Sequence, residues 1–237
     1  MPSITNFDPS QTLASNVASL LRERIASGEF APGSKLRLDE LRALFGVSLS
    51  PLREALSRLC AEGFVATEDQ RGYRVVPVSP RNLNEVTRLR SEFESFALRE
   101  SIRLGDDEWE SQVVASLHRL NKLERGAHAE GEGVSQWEQF HCVFHRQLVS
   151  ACQLPLLLHF CSTLHDLNDR YRRIFLNDNP IDRDVRKEHE EICRATTERR
   201  ADDACQLLRS HIERTGANVL RALIQKQEES GLLRAQP

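Results

Sequence analysis

The chain has 237 residues, 40% of them hydrophobic and 28% charged, with a formal net charge of −3. That length supports one large or two modest domains with buried cores, and no apolar run approaches the roughly 18–20 residues needed to cross a bilayer. The start, MPSITNFDPSQTLASN, lacks the basic-then-apolar order of a secretory signal, so a soluble, cytoplasmic protein is expected, and any nucleic-acid site must come from local arginines rather than global charge.

From Gln11 to about Ser27 the apolar residues Leu13, Val17, Leu20, Leu21 and Ile25 recur at helical spacing, and Gly28, Pro32 and Gly33 in GEFAPG stop the helix. Next, LRLDELRALFG carries Leu38, Leu41, Leu44 and Phe45 on one face and halts at Gly46. A second helix restarts in VSLSPLREALSRLCAEGF, with Ser50 as N-cap, Pro51 at the first helical position and Glu54 near the capping-box position. FVATEDQRGYRVVPVS then alternates apolar and polar residues around Asp69-Gln70-Arg71-Gly72, which predicts a two-stranded ribbon. Helix, helix, turn, helix, ribbon is the order of a winged helix-turn-helix over residues 1–76, followed by a linker at 77–83.

After VVPVSP the pattern is helical throughout, over about 81–104, 106–125, 134–152, 155–175, 181–199 and 201–228, with 229–237 expected as a disordered tail. Residues 84–228 therefore read as an all-α antiparallel bundle, and the fold class is mainly α with one small β ribbon. The six cysteines (Cys60, Cys142, Cys152, Cys161, Cys193, Cys205) form no C-x-x-C pair and read as reduced packing residues.

A recognition helix must aim polar residues outward while its apolar face holds the core. Leu52, Ala55, Leu56 and Leu59 fall inward; Ser48, Ser50, Arg53 and Ser57 fall outward. Arg53 has the reach for a guanine edge or a phosphate, and Arg71 with Gly72 at the ribbon tip could approach the neighbouring groove. Residues 1–80 hold nine Lys plus Arg against nine Asp plus Glu, so periodicity alone leaves a DNA surface and an ordinary solvated face both open.

In the second half, HCVFH places His141 and His145 one helical turn apart, and His189 and His211 fall on later helices. Antiparallel helices build metal sites from side chains of this kind, and imidazoles suit zinc, nickel, copper or iron over calcium or magnesium. A shared buried polar spot without metal fits the same spacing. His118, His128, His159 and His165 are not part of that set. Hydrolysis at the cluster would need a general base, and the H-E-x-x-H glutamate is absent, so an enzyme is not expected.

The run LASNVASLLRERIASGEFAPGSKLRLDELRALFGVSLSPLREALSRLCAEGFV with RGYRV resembles the DNA-binding domain of the GntR family of bacterial transcription regulators. The carrying residues are Ile25, Gly28, Pro32 and Gly33, GVS at 46–48 and PLREAL at 51–56. The resemblance implies operator contacts through Arg53, with Arg37 and the wing in support; Asp39 and Leu49 stand where the family often has arginines. The second half resembles the FCD ligand-sensing domain through Arg90, Glu94 and Ala97, Phe144, His145 and Leu148, His189 and Ile192, and Ala204 and His211. That resemblance implies a divalent metal, zinc foremost, at His145, His189 and His211, with His141 at a position where the family carries aspartate. A bundle cavity with that cation, Arg90 on its first helix and Arg172 beside Tyr171 on its fourth suits a small carboxylate effector, and a homodimer on a palindromic double-stranded operator is expected. GYRVVPVS, GDDEWE, LNKLE and RYRRIF are similar to members that repress glutarate catabolism, which implies a dicarboxylate such as glutarate or 2-hydroxyglutarate.

Overall fold

The computed structural model describes residues 7–68, 72–124, 132–175 and 184–229. These divide into two units, one comprising the chain up to Ser79 together with Arg170–Ile174, the other taking the remainder from Pro80 onward.

In the first unit, α1 (Leu13–Ala26) starts at Thr12, whose side chain accepts from the Ser15 amide, and it buries Val17, Leu21 and Ile25 completely. β1 (Lys35–Leu36) leads into α2 (Leu38–Phe45), which stops at Gly46, φ 63°. That left-handed conformation is nearly free of cost only for glycine, which is why the turn sits there. α3 (Leu49–Ala61) packs Leu52, Ala55, Leu56 and Leu59 inward, all fully buried. β2 (Val65–Glu68) and β3 (Gly72–Val75) pair antiparallel, Val65 opposite Val75 and Glu68 opposite Gly72, and β1 adds to the other edge of β3 in the order β1-β3-β2.

Two details differ from the sequence expectation. α3 takes Ser48 rather than Ser50 as N-cap, so Pro51 is the third helical residue. Proline is tolerated there because the amides of the first turn have no intrahelical acceptor anyway. Glu54 closes no capping box; it pairs with Arg58 one turn later. The third strand, β1, was not foreseen because two residues carry no alternation to read. The expected ribbon tip at Asp69, Gln70 and Arg71 lies outside the described residues.

The second unit consists, among the described residues, of α4 (Pro80–Leu104), α5 (Asp107–Glu124), α6 (Glu132–Val149), α7 (Pro155–Phe175, apart from 170–174), α8 (Val185–Thr197) and α9 (Ala201–Glu229). α4 uses Pro80 as its first residue, one position before the expected start near 81; proline is preorganised for that position. The expected start of α8 at 181 lies outside the described residues; Asp184 caps the helix, its carboxylate accepting from the Lys187 amide. Glu229 is helical, and the rest of the expected tail, 230–237, lies outside the described residues. One apolar core built from Leu98, Val113, Leu120, Phe144, Leu148, Ile192 and Leu208 joins α4, α5, α6, α8 and α9. All six cysteines are free thiols, four of them buried. No helix among the described residues is long and apolar enough to cross a membrane.

Candidate metal centre and DNA-binding surface

His141 and His145 come from α6, His189 from α8 and His211 from α9, and all four are buried. One ring nitrogen or the other of each lies within 4.8 Å of the corresponding atoms of the other three. Ring centroids are 4.5 Å apart for His141 and His145, 4.7 Å for His189 and His211, and 5.2 Å for His145 and His211. The helical rise explains the first pair, since residues four apart share one face. Phe144, between them in sequence, belongs to the apolar core, and its ring meets that of His189 edge-on with centroids 5.2 Å apart. Trp137, one turn earlier, stacks on His141 at 4.8 Å.

The chemistry of this set suits a transition-metal cation. Both ring nitrogens of His145 are buried without a hydrogen-bond partner among the described residues, an arrangement that costs free energy unless something else accepts the lone pair. Burial, reinforced by His211, His165, His189 and the Arg90 guanidinium, holds His145 well below its ordinary pKa, so it is a neutral imidazole able to ligate. Cys142 lies inside the same HCVFH stretch, but burial pushes its thiol up to about 11, which keeps it protonated.

Around the cluster stand His165, Glu94 and Glu188, which the sequence did not single out as site residues. His165 of α7 lies with its ring 5.4 Å from that of His145. It accepts at Nδ1 from the Arg90 guanidinium (3.0 Å), while Arg90 also clasps Glu94 through Nε (2.7 Å) and Nη2 (3.2 Å). Glu188, next to His189, lies 2.8 Å from Nδ1 of His211 and 3.1 Å from Arg214. Glu94, His145, Arg146, Cys161, Ser162 and His165 help to line a cavity of about 190 Å³ beside the cluster. The available signal for His165 was its place on the Cys161, Leu164 and Asn168 face of α7, all buried.

Arg90 is buried, but it is not among the cavity-lining residues; it reaches the cavity through His165. Tyr171 and Arg172 fall within the stretch that groups with the first unit, where the Tyr171 hydroxyl accepts from the Ser79 amide at 3.2 Å. His118 and His159 are exposed, and His128 lies outside the described residues.

On the first unit, Ser48, Ser50, Arg53 and Ser57 all project from α3 into solvent. Arg53 makes no hydrogen bond or ion pair among the described residues, so its guanidinium is available to an external acceptor. Arg37 is exposed beside Glu40 (3.2 Å), a weak surface pair that competes little with phosphate. Gly72 is exposed at φ 95°, a conformation that favours glycine. Arg71 lies outside the described residues.

The fold is a winged helix-turn-helix unit followed by an all-α unit. Residues 13–75 match the family "Bacterial regulatory proteins, gntR family", and residues 85–214 match the FCD domain. The chain is 38% identical over 214 residues to the HTH-type transcriptional regulator BphR of Paraburkholderia xenovorans, covering 87% of each. It is 34% identical over 196 residues to the HTH-type transcriptional repressor GlaR of Escherichia coli, covering 81% of this chain and 89% of that one. Among solved structures, E. coli McbR/YncC superposes with a TM-score of 0.75 at 20% identity over 89% of this chain and 98% of that one. A GntR regulator from Rhodococcus sp. RHA1 gives 0.71 at 24% over 88% and 98%; at these identities both bear on the fold alone. The chain belongs to the GntR family of bacterial transcription regulators, in the branch that carries an FCD domain. The matched families and these relatives are transcription regulators rather than enzymes.

Proposed function

We propose that the protein is a cytoplasmic, metabolite-responsive repressor that binds a palindromic operator as a homodimer and is released by a small dicarboxylate such as glutarate or 2-hydroxyglutarate. His141, His145, His189 and His211 hold a divalent transition metal, zinc foremost and nickel next. The observation that carries this reading is that His145 belongs both to the four-imidazole cluster and to the wall of the adjoining 190 Å³ cavity. A bound cation supplies there a positive centre for a carboxylate oxygen. His165 offers a hydrogen-bond donor from α7, and Val149 and Leu158 present apolar wall to a short methylene chain. Arg53, Ser48, Ser50 and Ser57, with Arg37, Arg71 and Gly72, meet the DNA.

Homodimerisation is supported by an apolar face on the helical unit. Leu89 and Phe96 of α4 and Leu156 and Phe160 of α7 are exposed, and Phe93 lies 6.2 Å from Phe160, which ties the two helices' apolar residues together. Effector binding shifts the two DNA-binding units through VVPVSP only as far as its differential affinity for the two arrangements allows.

Metal analysis of purified wild type and His145→Ala, followed by thermal-shift titration with glutarate, tests the sensing half. Near-stoichiometric metal lost in the variant, with carboxylate stabilisation only in the wild type, is expected. A folded, metal-free wild type still stabilised by glutarate replaces the metal with direct anion recognition. Selection from a random duplex pool, then release of the selected DNA by glutarate, tests the repressor half.

A further inference from the structure

The four candidate ligands are all imidazoles, which bind a metal as neutral donors, and the set contains no carboxylate. A buried dication held only by neutral donors keeps its full charge in a poorly screened environment, which is costly unless an anion stands close by. Glu94, the carboxylate at the cavity wall, is clasped by Arg90, and that pair is neutral as a whole. Glu188 is placed differently. Its side chain is 15% exposed, it precedes His189 on α8, and its Oε2 lies 2.8 Å from Nδ1 of His211 on α9.

We propose that Glu188 is the positioning residue of the metal centre, fixing His211 as a ligand and supplying the negative charge that the four imidazoles lack. The inference rests on the metal reading above. An ionised carboxylate can only accept a hydrogen bond, so Nδ1 of His211 carries the proton and Nε2 is left as the ligating atom. The same contact pins the ring's rotation and makes the imidazole a stronger donor. Arg214 takes the other carboxylate oxygen at 3.1 Å and fixes the plane of the group, but at 63% exposure its charge is screened by water far more than Glu188's. One carboxylate on α8 therefore links His211, on α9, to the helix that carries His189.

The test compares the full-length wild type with Glu188→Gln, Glu188→Ala and Arg214→Gln. Zn2+ affinity is read by competition with a chromophoric chelator, the Co2+ absorption spectrum reads the ligand field, and melting of the metal-free protein reads the fold. Glu188→Gln, which keeps an acceptor but loses the charge, is expected to bind Zn2+ roughly 10-fold more weakly, and Glu188→Ala roughly 10–100-fold. Co2+ bands shift in both, while Arg214→Gln stays within about 2-fold of wild type, as expected for an exposed pair. Equal Zn2+ affinity in wild type and Glu188→Gln overturns this inference alone. So does an equal loss in Arg214→Gln accompanied by a lower metal-free melting temperature, which makes the carboxylate a tie between α8 and α9. Glu138 is a second buried carboxylate, on α6 one turn before His141; if Glu138→Gln weakens the metal and Glu188→Gln does not, the compensating charge is there and the inference also falls. A wild type that binds neither Zn2+ nor Co2+ overturns the metal reading itself.

Discussion

The Arg90 guanidinium lies 3.0 Å from Nδ1 of His165, and because a guanidinium only donates, His165 accepts there and carries its neutral-state proton on Nε2. An imidazole in that tautomer has no lone pair left at Nε2 for a cation, which separates His165 from the four candidate ligands although its ring is 5.4 Å from that of His145. It faces the cavity as a donor. Under the proposed function, His165→Phe is expected to bind Zn2+ normally and glutarate ~10–100-fold more weakly, the effect of losing one hydrogen bond to a charged acceptor. Isothermal titration of the zinc-loaded variants measures this. Arg90→Gln, which frees the tautomer, should fall between wild type and His165→Phe; unchanged glutarate affinity in both variants removes this pair from effector recognition.

The metal-free protein should lose stability on mild acidification. His145 has a folded-state pKa held well below 6.5 by burial, so below about 6.5 the unfolded chain binds a proton at this position that the folded chain refuses. The sign follows: this contribution is fully present above 6.5 and declines as pH falls through 6.5 toward the depressed value, by at most roughly 1.4 kcal/mol per pH unit. Urea unfolding of wild type and His145→Phe between pH 7.5 and 5.0 reads the difference. A slope that is the same in both proteins assigns the acid sensitivity to other groups. Zinc affinity should fall over the same window, since each ligand must be deprotonated.

Much of this was legible before the fold was known, for reasons that differ by element. Leu52, Ala55, Leu56 and Leu59 showed the inward face of α3, because a helix bordering a core must repeat its apolar residues at 3.6. His141, His145, His189 and His211 were legible as a group because residue type limits what buried imidazoles can do. Glu188 and His165 were not, because a carboxylate or imidazole acting through another residue needs only one well-aimed contact and leaves no spacing pattern.

Arg53→Ala should weaken operator binding and leave folding untouched. The residue is exposed on α3, and the residues that fix that helix, Leu52 and Leu56, are fully buried. A base-edge contact contributes about 1–3 kcal/mol, so ~5–150-fold weaker binding to the selected duplex is expected, with relaxed preference at one base pair. Fluorescence anisotropy against the selected site and its single-base variants distinguishes this from a phosphate contact. A phosphate contact would weaken all the duplexes about equally and lower the salt dependence.

Gly216 of α9 is set by a close approach to α4. A β-carbon there would lie 2.5 Å from Cγ2 and 2.6 Å from Oγ1 of Thr87, inside any tolerable contact. Gly216→Ala gains roughly 0.5–1 kcal/mol of helix propensity, but forced overpacking costs roughly 1–3 kcal/mol, so a net loss of up to about 2.5 kcal/mol is expected. The Thr87 hydroxyl is buried without a hydrogen-bond partner among the described residues, so truncating it sacrifices no such bond. Gly216→Ala combined with Thr87→Ala should therefore recover most of the loss, and a double-mutant cycle in urea reads the coupling directly. The same shift should reach the metal centre: the Thr215 hydroxyl donates to the His211 carbonyl at 2.9 Å, so displacing α9 at Gly216 moves the turn that carries His211. Zinc affinity that falls in Gly216→Ala and returns in the double variant ties the α4 and α9 packing to the site. If stability recovers without zinc affinity, the clash does not reach His211.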